Sequence, residues 1–473
     1  MPIRFGTDGW RGLIARDFTF DNVELCAEGL SQYLKSTGLH DRGLVLGYDT
    51  RFLSNEFATT VADVVTKNGI QVFMCDEPTP TPVVSYNITT KNAGGGVVIT
   101  ASHNPYQWNG FKYKSQYGGS ASPEIVESLE GYINSANIDR SYVSKGLDGI
   151  KQTGLLDVID AKQAYIAHIS NIVNVDIIRN AGLRVVVDSM YGAGARYLSD
   201  IISGGTTEAQ ELHSETNPNF PDIDQPEPIS QNLGSLCRYI SSSNFDAGLA
   251  LDGDADRFGL VDNKGNFITP LEVFALLTLY LLDVKGYRGP IVKSITSTSM
   301  IYRLAAIYDV PVFETPVGFK YVGPKMIKEQ AIIGGEESGG FGYKGHIPER
   351  DGILSALLMV EMMSITGKNP SELILDLRNR VGEYSYKRVD VTFSESDRSR
   401  LLDNFNTLQP SHIAGIKVSK VDDLDGRRFI LEDESWLIVR FSGTEPLLRI
   451  YSESENTDIV NSLINNVRDM LGV

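Results

Sequence analysis

Short apolar runs recur along the chain, and each breaks into a polar or glycine-rich loop before a helix-like pattern begins. Leu44-Val45-Leu46-Gly47-Tyr48-Asp49 leads into Thr50-Arg51 and a helical pattern through Val65, and Val97-Val98-Ile99 leads into Thr100-Ala101-Ser102-His103-Asn104-Pro105. Leu183 to Val187 ends at Asp188, Leu249-Ala250-Leu251 at Asp252, and Ile291-Val292-Lys293 runs towards Ser297-Thr298-Ser299. Short apolar runs bounded by turn residues predict buried strands, and their alternation with helices predicts α/β layers with parallel or mixed sheets. Asp21, with Glu24 three residues on, is expected to cap a helix that turns Val23, Cys26, Leu30, Tyr33 and Leu34 to one side and ends at Gly38. After about Val381 the pattern changes. Strands at Arg428 to Leu431 and Trp436 to Arg440 precede an amphipathic helix from Ile459 to Leu471, as in a small α+β domain.

A chain of 473 residues is too long for one core. The pattern predicts domains over 1–150, 151–260, 261–378 and 379–473. Apolar content of 42% and charged content of 22% are those of an ordinary soluble globular protein. A formal net charge of -17 argues against nucleic-acid and anionic-membrane partners, so an anionic ligand needs a local basic pocket. The most apolar stretch, Val273 to Leu282, is too short to span a bilayer. The 3 cysteines show no CxxC spacing, which argues against a disulfide framework. With no apolar signal segment after Met1, the expected location is cytoplasmic.

Four loops carry candidate chemistry. Pro105 stops the strand before Ser102, leaving that hydroxyl at a carboxyl strand end, where open α/β sheets place their sites. Asp252-Gly253-Asp254-Ala255-Asp256-Arg257 puts alternate acids on a loop expected to be extended, so three carboxylates face one way. All-oxygen ligands favour Mg²⁺ or Ca²⁺, and Arg257 and Asn263 stand where an EF-hand needs glycine and glutamate. Gly334-Gly335-Glu336-Glu337-Ser338-Gly339-Gly340 offers acids and a hydroxyl to sugar hydroxyls. Arg440-Phe441-Ser442-Gly443-Thr444-Glu445-Pro446, with Arg449, has the makings of a phosphate cradle. No GxxxxGK[ST] or GxSxG occurs, and Gly192-Ala193-Gly194 lacks the third glycine of a dinucleotide fingerprint. Ser102 and His103 are neighbours, and neighbours rarely pair as nucleophile and base. Serine-hydrolase chemistry is therefore a poor reading.

In this order, from Gly6-Thr7-Asp8-Gly9-Trp10-Arg11-Gly12 to Arg449, the motifs resemble the α-D-phosphohexomutase superfamily of phosphoglucomutases and phosphomannomutases. The resemblance implies four domains around a central cleft, three related α/β domains with mixed sheets plus a C-terminal α+β domain. It implies a phosphoserine at Ser102, which completes a Mg²⁺ site on Asp252, Asp254 and Asp256. Arg11, His103, Lys112 and Arg257 become catalytic candidates around it. Lys320 in Thr315-Pro316-Val317-Gly318-Phe319-Lys320, Glu336, Ser338, Arg440, Ser442, Gly443, Thr444 and Arg449 become substrate contacts. The implied reaction interconverts hexose 1- and 6-phosphates, most simply of glucose, through a hexose 1,6-bisphosphate. Mannose or glucosamine phosphates are alternatives. A Mg²⁺-dependent phosphosugar phosphatase and a non-catalytic phosphosugar-binding protein remain as readings from other classes. The expected partner is a small phosphosugar on a monomer or homodimer. Two departures stand out. Ala255 replaces a frequent glycine, and Gly340 stands where many relatives carry histidine, leaving Lys112 as first choice of general base and His346 as second.

Overall fold

The computed structural model describes residues 3–6, 8–137, 146–441 and 446–473. Three α/β units follow one another, each built on a mixed sheet. In the first, parallel strands Leu44–Tyr48, Val72–Cys75, Gly95–Ile99 and Leu156–Ile159 are extended by antiparallel Trp108–Ser115 and Trp10–Leu13. The second has parallel Arg184–Asp188, Glu208–Leu212 and Ala247–Leu251, with Phe258–Val261 and Phe267–Ile268 returning antiparallel. The third has parallel Ile291–Ser294, Val312–Thr315 and Ile333–Gly335, with Phe341–Tyr343 returning. The fourth unit is a six-stranded antiparallel sheet from Ser385–Thr392 to Leu447–Ser454, covered by helices Arg398–Thr407 and Thr457–Leu471.

The repeated design places the chemistry. In each of the first three units one loop joins the last parallel strand to its antiparallel partner. Residues 100–107, 252–257 and 336–340 are those loops, so Ser102, the three aspartates and Glu336 occupy the same position in related sheets. A continuous apolar cluster spans the first three units, running from Val45 through Val187, Leu249 and Ile291 to Leu377. It holds these loop ends in register. The fourth unit has its own core and touches the third through Ile295, Trp436, Ile438 and Tyr451.

Several expectations need adjustment. The helix expected to be capped by Asp21 is Phe20–Ser36, and its N-cap is Thr19, whose hydroxyl accepts from the Asn22 N–H; Asp21 lies in the first turn. The boundary expected at 150 detaches Leu156–Ile159, which pairs with Val72–Cys75 in the first sheet. The boundary at 260 falls inside Phe258–Val261, and that at 378 inside the helix Pro370–Val381. Short edge strands and hairpin returns carry no linker composition, so nothing local marks where one sheet ends. Among the described residues no helix is long and apolar enough to cross a membrane.

Candidate active site

Ser102 lies in a loop that its own sequence does not stabilise. Its φ is +53°, a left-handed value that costs a serine roughly 1–3 kcal/mol. Arg51 supplies the restraint. Its guanidinium donates to the carbonyls of Ser102 and Asn104 at 2.6 Å, Pro105 at 2.9 Å and Trp108 at 3.0 Å. It is itself held by Asp49 at 3.1 Å and stacks over Phe220 of the second unit at 5.0 Å. The result aims the hydroxyl. Ser102 Oγ donates to Asp252 Oδ2 at 2.9 Å and lies 3.2 Å from His103 Nδ1. The left-handed turn thus brings together two neighbours that were not expected to meet. Burial, reinforced by Arg257, Arg11, Lys112 and Arg350, drives His103 well below the usual imidazole range, which leaves its ring neutral.

Asp252, Asp254 and Asp256 are fully buried, and each offers an oxygen within 4.8 Å of the others. The loop is a turn rather than the extended segment expected. Ala255 adopts φ +55°, its side chain joins the apolar core, and the flanking acids converge. Gly253 is required by space, because a Cβ there would lie 2.4 Å from the Ser102 carbonyl oxygen. Asp254 Oδ2 accepts from Lys112 at 2.7 Å and Thr81 at 2.5 Å, and Asp256 Oδ2 accepts from Arg350 at 2.8 Å. Asp254 Oδ1 and Asp256 Oδ1 meet no hydrogen-bond donor among the described residues. Buried carboxylate oxygens left without donors are costly, and three hard oxygen ligands at this spacing fit a divalent cation such as Mg²⁺. Burial and the charges of Asp256 and Asp254 push Asp252 well above the usual carboxylate range, a repulsion that such a cation relieves.

Lys112 stands opposite Val98 on the returning strand. Its ammonium lies 2.7 Å from Asp254, 3.1 Å from Asp8 and 3.5 Å from Asp256. Burial works against that charge, but Asp254, Asp8 and Asp256 outweigh it and raise the pKa. Lys112 is therefore a fixed cation, contrary to the lowered pKa expected of a general base. His346 is not available either. Its ring nitrogens meet Asp351 at 2.8 Å and His168 at 3.1 Å, inside a packed cluster with Tyr86. Arg11 Nη1 donates to Asn104 Oδ1 at 2.5 Å, and Arg257 Nη1 to Glu227 Oε1 at 2.5 Å.

The third unit adds Glu336, whose Oε1 accepts from the Gly318 N–H at 2.7 Å, just before Lys320 at the start of the helix Phe319–Glu329. Burial raises the Glu336 carboxyl to about 7. Ser338 is half-buried, and the next carbonyl, of Gly339, accepts from the Phe258 N–H at 3.0 Å. In the fourth unit Arg440 and Arg449 are cross-strand partners, and Arg440 is held by Asp425 at 2.8 Å. Ser442, Gly443 and Thr444 lie outside the described residues. Asp8, Arg51, Lys114, Glu349, Arg350 and Asp425 escaped the sequence reading. Lys114 bridges Asp8 at 3.0 Å and Glu349 at 2.8 Å, joining the first and third units. A signal existed only for Asp8 and Arg51, which stand inside or beside quoted motifs.

Four family patterns match in sequence. The phosphoglucomutase/phosphomannomutase α/β/α domains I, II and III match residues 2–139, 163–265 and 269–381, and the C-terminal domain matches 391–470. A phosphoglucomutase/phosphomannomutase of Thermococcus kodakarensis is 30% identical over 96% of this chain and 95% of its own. A protein of Methanobrevibacter smithii described as a probable phosphoglucosamine mutase is 31% identical, over 96% and 95%. A crystal structure from Thermus thermophilus, described as a phosphomannomutase, is 33% identical and superposes with a TM-score of 0.86 over 100% of both chains. With four successive domain matches and this fold, the chain belongs to the phosphoglucomutase/phosphomannomutase family of α-D-phosphohexomutases, which are intramolecular phosphotransferases.

Proposed function

We propose that the protein interconverts hexose 1-phosphate and hexose 6-phosphate, with glucose as the first candidate sugar, through a phosphoryl group carried on Ser102. The observation that carries this reading is the Ser102 hydroxyl, strained, clamped and aimed at Asp252 at 2.9 Å beside two donor-free aspartate oxygens. A free hydroxyl of the sugar phosphate attacks the phosphorus on Ser102. The P–Oγ bond breaks, a new P–O bond forms on the sugar, and the sugar hydroxyl gives up its proton. His103, neutral and 3.2 Å from Ser102 Oγ, is placed to receive that proton. The hexose 1,6-bisphosphate so formed turns over and returns its other phosphoryl group to the serine. Asp252, Asp254 and Asp256 would hold Mg²⁺, which supplies charge neutralisation at the phosphoryl oxygens. Lys112 and Arg11 add fixed positive charge beside the transferring group.

Glu336 and Ser338 would orient sugar hydroxyls, and Arg440 with Arg449 would hold the phosphate that is not reacting. Ser442, Gly443 and Thr444 belong to the same proposal on motif alone. Three unpaired cysteines fit a reducing, cytoplasmic setting. Glucosamine phosphate is a second reading of the sugar, because several relatives 29–31% identical are named as phosphoglucosamine mutases or probable ones. Rates on the 1-phosphates of glucose, mannose and glucosamine, measured with release of inorganic phosphate, test both questions. The proposal expects glucose 1-phosphate to turn over fastest with little phosphate released. Phosphate release matching substrate loss makes the protein a phosphatase instead.

A further inference from the structure

Arg350 belongs to none of the four motif loops, yet it touches two of them. Its Nη2 donates to Asp256 Oδ2 at 2.8 Å and to Asp8 Oδ2 at 2.9 Å, while Nη1 lies 3.7 Å from Glu336 Oε2. Its side chain is 7% exposed and sits over the Phe319 ring at 5.8 Å. The stem has no room to move. A Cβ built on Gly340 would lie 2.2 Å from Arg350 Cδ and 2.7 Å from its Cγ. Gly340 ends the loop that begins with Glu336, so the missing side chain there is the space through which the arginine reaches the metal loop.

We propose that Arg350 is a positioning residue that fastens the sugar loop to the metal loop, and that its charge moderates divalent-ion affinity at the aspartates. The proposal rests on the reading of Asp252, Asp254 and Asp256 as metal ligands and Glu336 as a sugar contact. Two functions follow from one side chain. The planar fork fixes Asp256, Asp8 and Glu336 relative to one another, which a lysine cannot do with a single point charge. The positive charge beside Asp256 repels an arriving divalent cation, so its removal should tighten ion binding even as catalysis suffers. A residue that only supported the fold would weaken both.

The test measures Mg²⁺ and Mn²⁺ binding to the unphosphorylated full-length protein by calorimetry, beside kcat and KM with hexose 1-phosphate. Arg350→Met, which fills the same channel without charge, is expected to bind the ion on the order of tenfold more tightly and to raise KM. Arg350→Lys should keep near-native ion affinity yet show the same rise in KM. Gly340→Ala should raise KM in the native background but not in Arg350→Ala, because the clash needs the arginine stem. Ion binding that is unchanged or weaker in Arg350→Met overturns the proposal, as does a Gly340→Ala effect that persists without the arginine. If the native protein binds no divalent ion, the metal reading fails first, and the proposal with it.

Discussion

Glu336 shows what burial does to a single acid at this site. Its carboxyl is raised to about 7, first by burial and then by the nearby charge of Glu337, against the opposing pull of Arg350. An acid whose folded pKa is raised favours folding most below its unfolded pKa near 4.3, and that advantage is lost as pH rises through about 7. Glu336→Gln removes the titration while keeping shape. Urea midpoints of the metal-free protein should therefore be nearly equal for native and variant near pH 4.5. By pH 8 the variant should have the higher midpoint. A variant no more stable at pH 8 than the native chain would show that Glu336 is not held near neutrality.

The loop around Ser102 depends on an element that motif reading passed over. Arg51 follows the strand Leu44–Tyr48 and gathers four carbonyls of residues 102–108. Lysine cannot reproduce that fork, so Arg51→Lys should let Ser102 shift. Misplacement of a reacting group by about 1 Å can cost on the order of a hundredfold in rate. The variant should lose most of its kcat with little change in melting temperature, and full kcat would remove Arg51 from the account. The contrast with the aspartates explains what was readable. Asp252, Asp254, Asp256 and Ser102 are contiguous in short motifs beside strong apolar strands, so residue order alone exposed them. The Arg350–Asp8 pair joins residues 342 positions apart, and no periodicity carries such a meeting. The extended metal loop was misjudged because its shape depends on Ala255 in a left-handed conformation, and glycine, not alanine, is the residue that signals one. The four-domain plan was legible from strand and helix grammar, while its seams were not, because Leu156–Ile159 pairs back into the preceding sheet.

At the scale of the molecule, the fourth unit meets the third through a small set of polar contacts. Asp425 receives Arg440 at 2.8 Å and the Val317 N–H at 2.9 Å, so one carboxylate ties the phosphate-binding arginine to the loop that precedes Lys320. Trp436 Nε1 donates to Ser299 Oγ and to Glu453, both at 3.0 Å. A sugar bisphosphate that reverses end over end needs this unit to loosen and close again, a hinge motion about few contacts. Asp425→Asn keeps an acceptor but drops the charge that orients Arg440. It should raise KM for 1-phosphate and 6-phosphate alike by roughly tenfold, the loss of one charge-assisted bond. A rise confined to one of the two substrates would mean that Arg440 does not serve both orientations.

The central claim is that Ser102 carries the phosphoryl group, and intact-protein mass spectrometry tests it most directly. Purified protein incubated with Mg²⁺ and glucose 1,6-bisphosphate should gain one phosphoryl group, mapped to Ser102, and should lose it on addition of glucose 6-phosphate. Ser102→Ala should gain none and turn over no hexose phosphate. Native turnover without phosphate on Ser102, or a Ser102→Ala variant that still interconverts the hexose phosphates, contradicts the account.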